Sequence, residues 1–254
     1  MIPSLIFFPE KKFYEKPEDY QFQYENVSLQ TSDQIVLHGW WIETQSPKKM
    51  GAILFLHGNA GNISHRLYKI KGWVERGFEV LLLDYRGYGK SSGKIQNQED
   101  IVLDAHAGFG WMQEVKKIPA SKTILYGESL GTYPAIRLGA ENISGAVILE
   151  APFTSFVELG RLHYPFVPSA LIQNFAFANI EHIGNLKSPL FILHGTNDEI
   201  CPYNMSGELF EKAPEPKGFL SIPNGTHNDL PISAGDDYWQ KPFEFVSKHL
   251  SGRP

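Results

Sequence analysis

A serine hydroxyl is a poor nucleophile at neutral pH. It attacks a carbonyl only with a base in hydrogen-bond reach and an anion that holds that base in the right tautomer. One serine in this chain sits where such chemistry is built. Ser129 is the centre of Gly127-Glu128-Ser129-Leu130-Gly131, a G-x-S-x-G pattern between the β-prone run 123–126 and a helix-compatible segment. A sharp strand-to-helix turn forces its central serine into strained backbone space and exposes the hydroxyl, while the flanking glycines remove side chains that would collide there. The backbone N–H of Leu130, just after the serine, is then the first donor for a tetrahedral oxyanion. Because Gly and Ser are common turn residues, the same pentapeptide also reads as an ordinary βα loop. The rest of the chain decides between the two.

The elements that must position Ser129 are legible as short apolar runs: AILFL at 52–56, EVLLL at 79–83, TILY at 123–126, GAVIL at 145–149, PLFIL at 189–193 and GFLSI at 218–222. Near-continuous apolar strands of this length suit a sheet buried on both faces. Between them lie helical patterns, such as Leu67, Ile70, Trp73 and Val74 along one face with Gly77 placed to end the helix. The alternation predicts a mostly parallel sheet with right-handed crossovers. Ahead of it, residues 23–30 and 35–43 predict an antiparallel hairpin. Polar residues follow the strands in turn: His57-Gly58-Asn59, Asp84, Ser129, Glu150, His194 to Asp198, and His227. These are carboxyl ends, where open α/β sheets build their sites. The interval 151–188 is longer than a plain connection and mixes phenylalanines with prolines, so it reads as a small helical cap or lid.

Taken in chain order, Ser129, an acid near 198 and His227 give Ser, Asp, His. With HGNAGN at 57–62 and DYRGYGKSSG at 84–93, the chain resembles the α/β-hydrolase superfamily, and within it the serine hydrolases of the Bem46 branch and of the α/β-hydrolase-domain 13 and 17 type. The resemblance spans roughly residues 20–250. It implies an α/β-hydrolase fold over 1–254 as a single domain, with the cap at about 151–188 as a short insertion. It makes Ser129 the nucleophile, His227 in PNGTHN the base and Asp198 in HGTNDEICP the acid, with Glu150 at the alternative acid position that some α/β hydrolases use. The N–H of Asn59 becomes the second oxyanion donor. His57 belongs to the oxyanion loop, and both it and His194 are structural. The connection after GAVIL lies over the serine, so Phe153, Phe166 and Phe175 are candidates for an acyl pocket, weighed against simple packing of helices onto the sheet. The implied activity is carboxylic-ester hydrolysis through an acyl-enzyme, favouring short to medium acyl chains. Its alternatives are hydrolysis of acyl-protein or acyl-CoA thioesters and, from another class, a non-catalytic member that binds a ligand or partner in the same pocket.

Composition narrows the field. With 42% hydrophobic and 20% charged residues the chain has ordinary globular usage. A net charge of −5 without a Lys/Arg stripe argues against the phosphate-neutralising surface a nucleic-acid partner needs. HGNAGN contains glycines but fits neither G-x-x-x-x-G-K-[ST] nor G-x-G-x-x-G, which disfavours a nucleotide site. Cys201 is the only cysteine, so neither an intrachain disulfide nor a multi-cysteine zinc site can form. No metal or organic cofactor is expected, and the expected partner is a small-molecule ester. The DYRGYGKSSG turn reads as a structural loop in which the Asp84 carboxylate takes a backbone hydrogen bond. Residues 1–9, MIPSLIFFP, are apolar but too short to cross a bilayer, and they lack the basic start and cleavage site of a secretory signal. They read as a segment packed on the surface, the alternative being the stump of a longer anchor. A cytoplasmic location is expected.

Overall fold

All six apolar runs become strands of one sheet. The computed structural model describes residues 6–166, 168 and 173–250. Its strands are β1 (Phe8–Pro9), β2 (Gln23–Gln30), β3 (Val36–Glu43), β4 (Gly51–Leu56), β5 (Ala60–Gly61), β6 (Phe78–Leu83), β7 (Thr123–Glu128), β8 (Ala146–Glu150), β9 (Leu190–Gly195) and β10 (Lys217–Ile222). Eight of them form a sheet in the order β10-β9-β8-β7-β4-β6-β3-β2. The β2/β3 hairpin is antiparallel, as is the β3/β6 pairing, and all the others are parallel. The expected α/β-hydrolase architecture is therefore present, with the hairpin at one edge.

The period-2 alternation of a strand shows why these runs are apolar throughout. Along β4, Ala52, Leu54 and Leu56 join the core on one face, while Ile53 and Phe55 join the core on the other. β6 divides likewise, with Leu81 and Leu83 on one side and Phe78, Val80 and Leu82 on the other. The first core is covered by α2 (Gln98–Glu114), α3 (Thr132–Glu141) and α6 (Tyr203–Lys212). The second is covered by α1 (Leu67–Glu75), α7 (Leu230–Ala234) and α8 (Asp237–Leu250). In α1 the predicted apolar face, Leu67, Ile70, Trp73 and Val74, is buried. Gly77 stands at φ +94 where a Cβ would lie 2.4 Å from the Lys48 carbonyl, so only glycine lets the chain turn from α1 into β6.

Between β8 and β9 the chain carries α4 (Phe156–His163) and α5 (Asn179–His182). Ser155 caps α4 by accepting a hydrogen bond from the Glu158 N–H at 3.1 Å. Residues 167 and 169–172 of this interval lie outside the described residues. A small second ladder was not foreseen: β1 runs parallel to β5, Phe8 opposite Ala60 and Pro9 opposite Gly61. Phe7 is buried in the first core and Phe8 is exposed, which is how a surface-packed N-terminal segment divides its side chains. Among the described residues no helix is long and apolar enough to cross a membrane.

Candidate active site

Ser129 opens a short 3-10 turn, Ser129–Gly131, that joins β7 to α3. Its φ is +50, the left-handed region that a non-glycine residue enters only under constraint. The flanking glycines explain how the turn survives. A Cβ on Gly131 would lie 1.9 Å from the Leu56 carbonyl, and one on Gly127 would lie 2.4 Å from the Gly131 carbonyl. The turn is thus pressed against the end of β4, and Thr132 Oγ1 ties it by donating to the Ser129 carbonyl at 2.6 Å.

Two loops bring the partners. His227 lies beyond β10, with Nε2 3.0 Å from Ser129 Oγ and Nδ1 2.7 Å from Asp198 Oδ2. A carboxylate can only accept, so Nδ1 carries the proton, and the Nε2 lone pair is left facing the serine hydroxyl. Asp198 lies beyond β9 and is enclosed. Its Oδ1 accepts from the N–H groups of Ile200 and Cys201 at 2.9 and 2.8 Å, and its Oδ2 also receives His194 Nε2 at 3.1 Å. Burial alone would raise the Asp198 carboxyl, but hydrogen bonds from His194, His227 and the Cys201 N–H outweigh it and hold it well below the usual carboxylate range. It stays ionised beside the imidazole. His194, expected to be structural, braces this carboxylate. Its Nε2 lies between Asp198 Oδ2 and the Cys201 carbonyl, 2.9 Å away, so it donates into the acid's loop.

Asn59 follows β4 in the turn that faces Ser129. A Cβ on the neighbouring Gly58 would lie 3.5 Å from Ser129 Cβ, which puts this turn directly against the serine. The Asn59 side chain is engaged, Nδ2 donating to the Ile6 carbonyl at 2.6 Å, while no group among the described residues accepts its backbone N–H. His57 is fully buried, with Nδ1 2.7 Å from the Gly58 carbonyl. Burial, followed by the nearby Arg66 charge, lowers its pKa to about 4, so it is neutral near pH 7 and does not compete as a base. Asp84 takes the expected backbone hydrogen bond, from the Ile63 N–H at 3.0 Å.

Glu150, the alternative acid position, is not brought to His227. It is fully buried and engaged by Lys69 Nζ at 2.6 Å, the Tyr126 hydroxyl at 2.8 Å and the Tyr238 hydroxyl at 2.7 Å. Lys69 also reaches Glu128 Oε1 at 2.8 Å, and Arg66 Nε reaches Glu128 Oε2 at 2.9 Å. This buried set of two cations and two carboxylates lies directly behind the elbow and was missed from sequence. Its local signs are two glutamates that end wholly buried strands, Glu128 in β7 and Glu150 in β8. The three pocket candidates are not gathered on one surface. Phe153 and Phe175 are buried and pack on other rings, Phe153 on Phe156 at 4.7 Å and Phe175 on Phe7 at 5.5 Å, whereas Phe166 is 97% exposed.

The architecture has solved counterparts. A Pyrococcus furiosus esterase superposes with a TM-score of 0.79 at 22% identity, covering 97% of this chain and 98% of its own. The α/β hydrolase GrgF from Penicillium sp. sh18 does so at 0.72 and 18% identity, covering 90% and 99%. The fold is that of the α/β hydrolases. At sequence level the family described as serine aminopeptidase, S33, matches residues 47–173. The α/β hydrolase domain-containing protein WAV2 of Arabidopsis thaliana is 32% identical, over 89% of this chain and 79% of that protein. Protein bem46 of Schizosaccharomyces pombe is 31% identical over 94% and 81%, and human α/β hydrolase domain-containing protein 17B is 32% identical over 81% and 69%. The chain belongs to the α/β-hydrolase family, in the branch that holds bem46 and the domain 17 proteins.

Proposed function

We propose that the protein is a serine carboxylic-ester hydrolase in which Ser129 is the nucleophile, His227 the general base and acid, and Asp198 the residue that orients the imidazole. The carrying observation is the unbroken hydrogen-bonded line from Ser129 Oγ through both nitrogens of His227 to an ionised, enclosed carboxylate. Ser129 Oγ adds to the ester carbonyl carbon as its proton passes to His227 Nε2, and the carbonyl oxygen becomes an oxyanion held by the N–H groups of Leu130 and Asn59. The imidazolium then gives that proton to the departing alcohol, leaving an acyl-enzyme. Water repeats the sequence and frees the acid.

The proposed acyl range is short to medium, roughly acetyl to octanoyl. It is supported by the rings after β8, which fill space against one another: Phe156 lies 4.7 Å from both Phe153 and Phe177. A fluorophosphonate probe should label the parent protein and not Ser129→Ala, and p-nitrophenyl esters of increasing chain length should show turnover falling beyond octanoate. Aminoacyl p-nitroanilides and acyl-CoA run alongside separate esters from amides and thioesters. Faster turnover of either, or labelling that survives Ser129→Ala, overturns the assignment.

A further inference from the structure

An oxyanion donor is useful only if it is already aimed when charge develops. The backbone groups around Asn59 are fastened one after another. The His57 carbonyl accepts from the Tyr85 hydroxyl at 3.0 Å, the Gly58 carbonyl from His57 Nδ1 at 2.7 Å, and the Asn59 carbonyl from the Tyr88 hydroxyl at 2.7 Å. The Ala60 carbonyl accepts from Arg66 Nη1 at 2.9 Å, and the Gly61 carbonyl from the Glu10 N–H at 3.0 Å. On the donor side the Gly58 N–H goes to Glu128 Oε2 at 3.2 Å. The turn is pinned on both sides of Asn59, whose own N–H has no acceptor among the described residues.

Two of those pins belong to one ion pair. Glu128 Oε2 receives both the Gly58 N–H and Arg66 Nε, and the same guanidinium holds the Ala60 carbonyl. Glu128 is also the residue before Ser129. Burial would raise the Glu128 carboxyl, but the charges of Arg66 and Lys69 and their hydrogen bonds hold it well below its ordinary range, so the pair is ionised. A buried ion pair contributes little net stability relative to packed apolar groups, but its directional bonds fix geometry. We propose that Arg66 and Glu128 are positioning residues for the oxyanion hole: the pair locks the turn carrying the Asn59 N–H to the elbow carrying Ser129 and the Leu130 N–H. The role rests on the serine-hydrolase reading above, and neither side chain touches substrate.

Arg66→Lys keeps the charge but loses the rigid fork that aims Nε at Glu128 and Nη1 at the Ala60 carbonyl. Glu128→Gln keeps the shape but removes the charge that fixes Arg66. Each should lower kcat/KM about ten- to a hundredfold, less than outright loss of one donor, with KM changed less than about threefold. A trifluoromethyl ketone adds Ser129 Oγ to its carbonyl and leaves an oxyanion in the hole, so its affinity should fall in parallel with kcat/KM. Tyr238→Phe, at the far end of the same cluster on Glu150, should lower Tm and leave kcat/KM and ketone affinity at the parent values. Rates are referred to active sites counted by fluorophosphonate titration. Parent kcat/KM in both Arg66 and Glu128 variants, losses that vanish on that correction, or failure of both to fold at 4 °C would each assign the pair to structure alone and overturn the proposal. A parent protein that neither takes the fluorophosphonate nor cleaves esters removes the catalytic reading and this role together. A labelled, active parent with indifferent variants removes only this role.

Discussion

The ends of two neighbouring strands carry carboxylates in closely similar places and in opposite circumstances. Glu150 ends β8, and Asp198 lies just beyond β9. Both side chains are inaccessible to solvent. Glu150 is held by a lysine and by two phenols that donate to it, and none of its partners is an imidazole. Asp198 is held by two histidines and two backbone N–H groups, and one of those histidines faces Ser129. Position along the carboxyl edge of the sheet therefore does not select the acid. What selects it is which other side chains arrive. A glutamate met by Lys69 becomes part of the framework, and an aspartate met by His227 is left to orient the imidazole that the proposed mechanism uses.

The sharpest way to break this contrast is Asp198→Asn. It should leave folding largely intact and lower kcat about ten-thousandfold, because an amide no longer fixes the Nδ1–H tautomer of His227. Steady-state ester hydrolysis measures it, and retention of a tenth of parent activity would mean the wrong acid has been chosen. Glu150→Gln should do the converse. Removing one charge from a buried, balanced set should cost about 4 kcal/mol in urea unfolding, while kcat of the folded protein stays within about threefold. A catalytic loss there larger than the Asp198 effect would exchange the two roles.

A third strand end supplies a titration. His57, after β4, has a pKa lowered to about 4 from 6.5, so between those pH values the unfolded chain binds a proton that the folded chain refuses. Stability should thus be lost as pH falls from about 6.5 to 4, by at most about 3 kcal/mol from this group. Comparing urea midpoints at pH 7 and 4.5, His57→Gln should show a smaller drop than the parent, and equal drops would contradict the buried neutral state. The smallest effect belongs to Glu199→Gln. This exposed neighbour of Asp198 should leave kcat/KM within about twofold, and a larger change would show that the loop uses both carboxylates.

How much of this was legible from sequence depends on whether the signal is local. The elbow announced itself because strand, turn and helix are consecutive and glycine is needed on both sides of Ser129. The strands announced themselves because burial on two faces leaves few polar residues in a run. Arg66 and Lys69 gave no such sign, because their partners lie 62, 59 and 81 residues away and a charged residue in a helix usually faces water. Lys69 stands in α1 among Leu67, Ile70 and Trp73, yet is buried with them. The phenylalanines after β8 failed differently: hydrophobicity says that a ring seeks cover, and it cannot say whether the cover is the core, as for Phe153 and Phe175, or absent, as for Phe166.

The two-residue ladder between β1 and β5 has a practical side for anyone handling this chain. Ile6 supplies the acceptor for the Asn59 side chain, and Glu10 supplies the donor for the Gly61 carbonyl. The start of the described chain is thus fastened to the turn that faces Ser129. A purification tag or reporter joined directly to residue 6 would start beside the turn that faces Ser129, whereas one joined to the end of α8 leaves from a helix that packs on the second core. Trimming residues 6–10 to tidy the N-terminus removes two of the fastenings on that turn, so activity compared between differently tagged or trimmed preparations reports on the tag as well as on the enzyme.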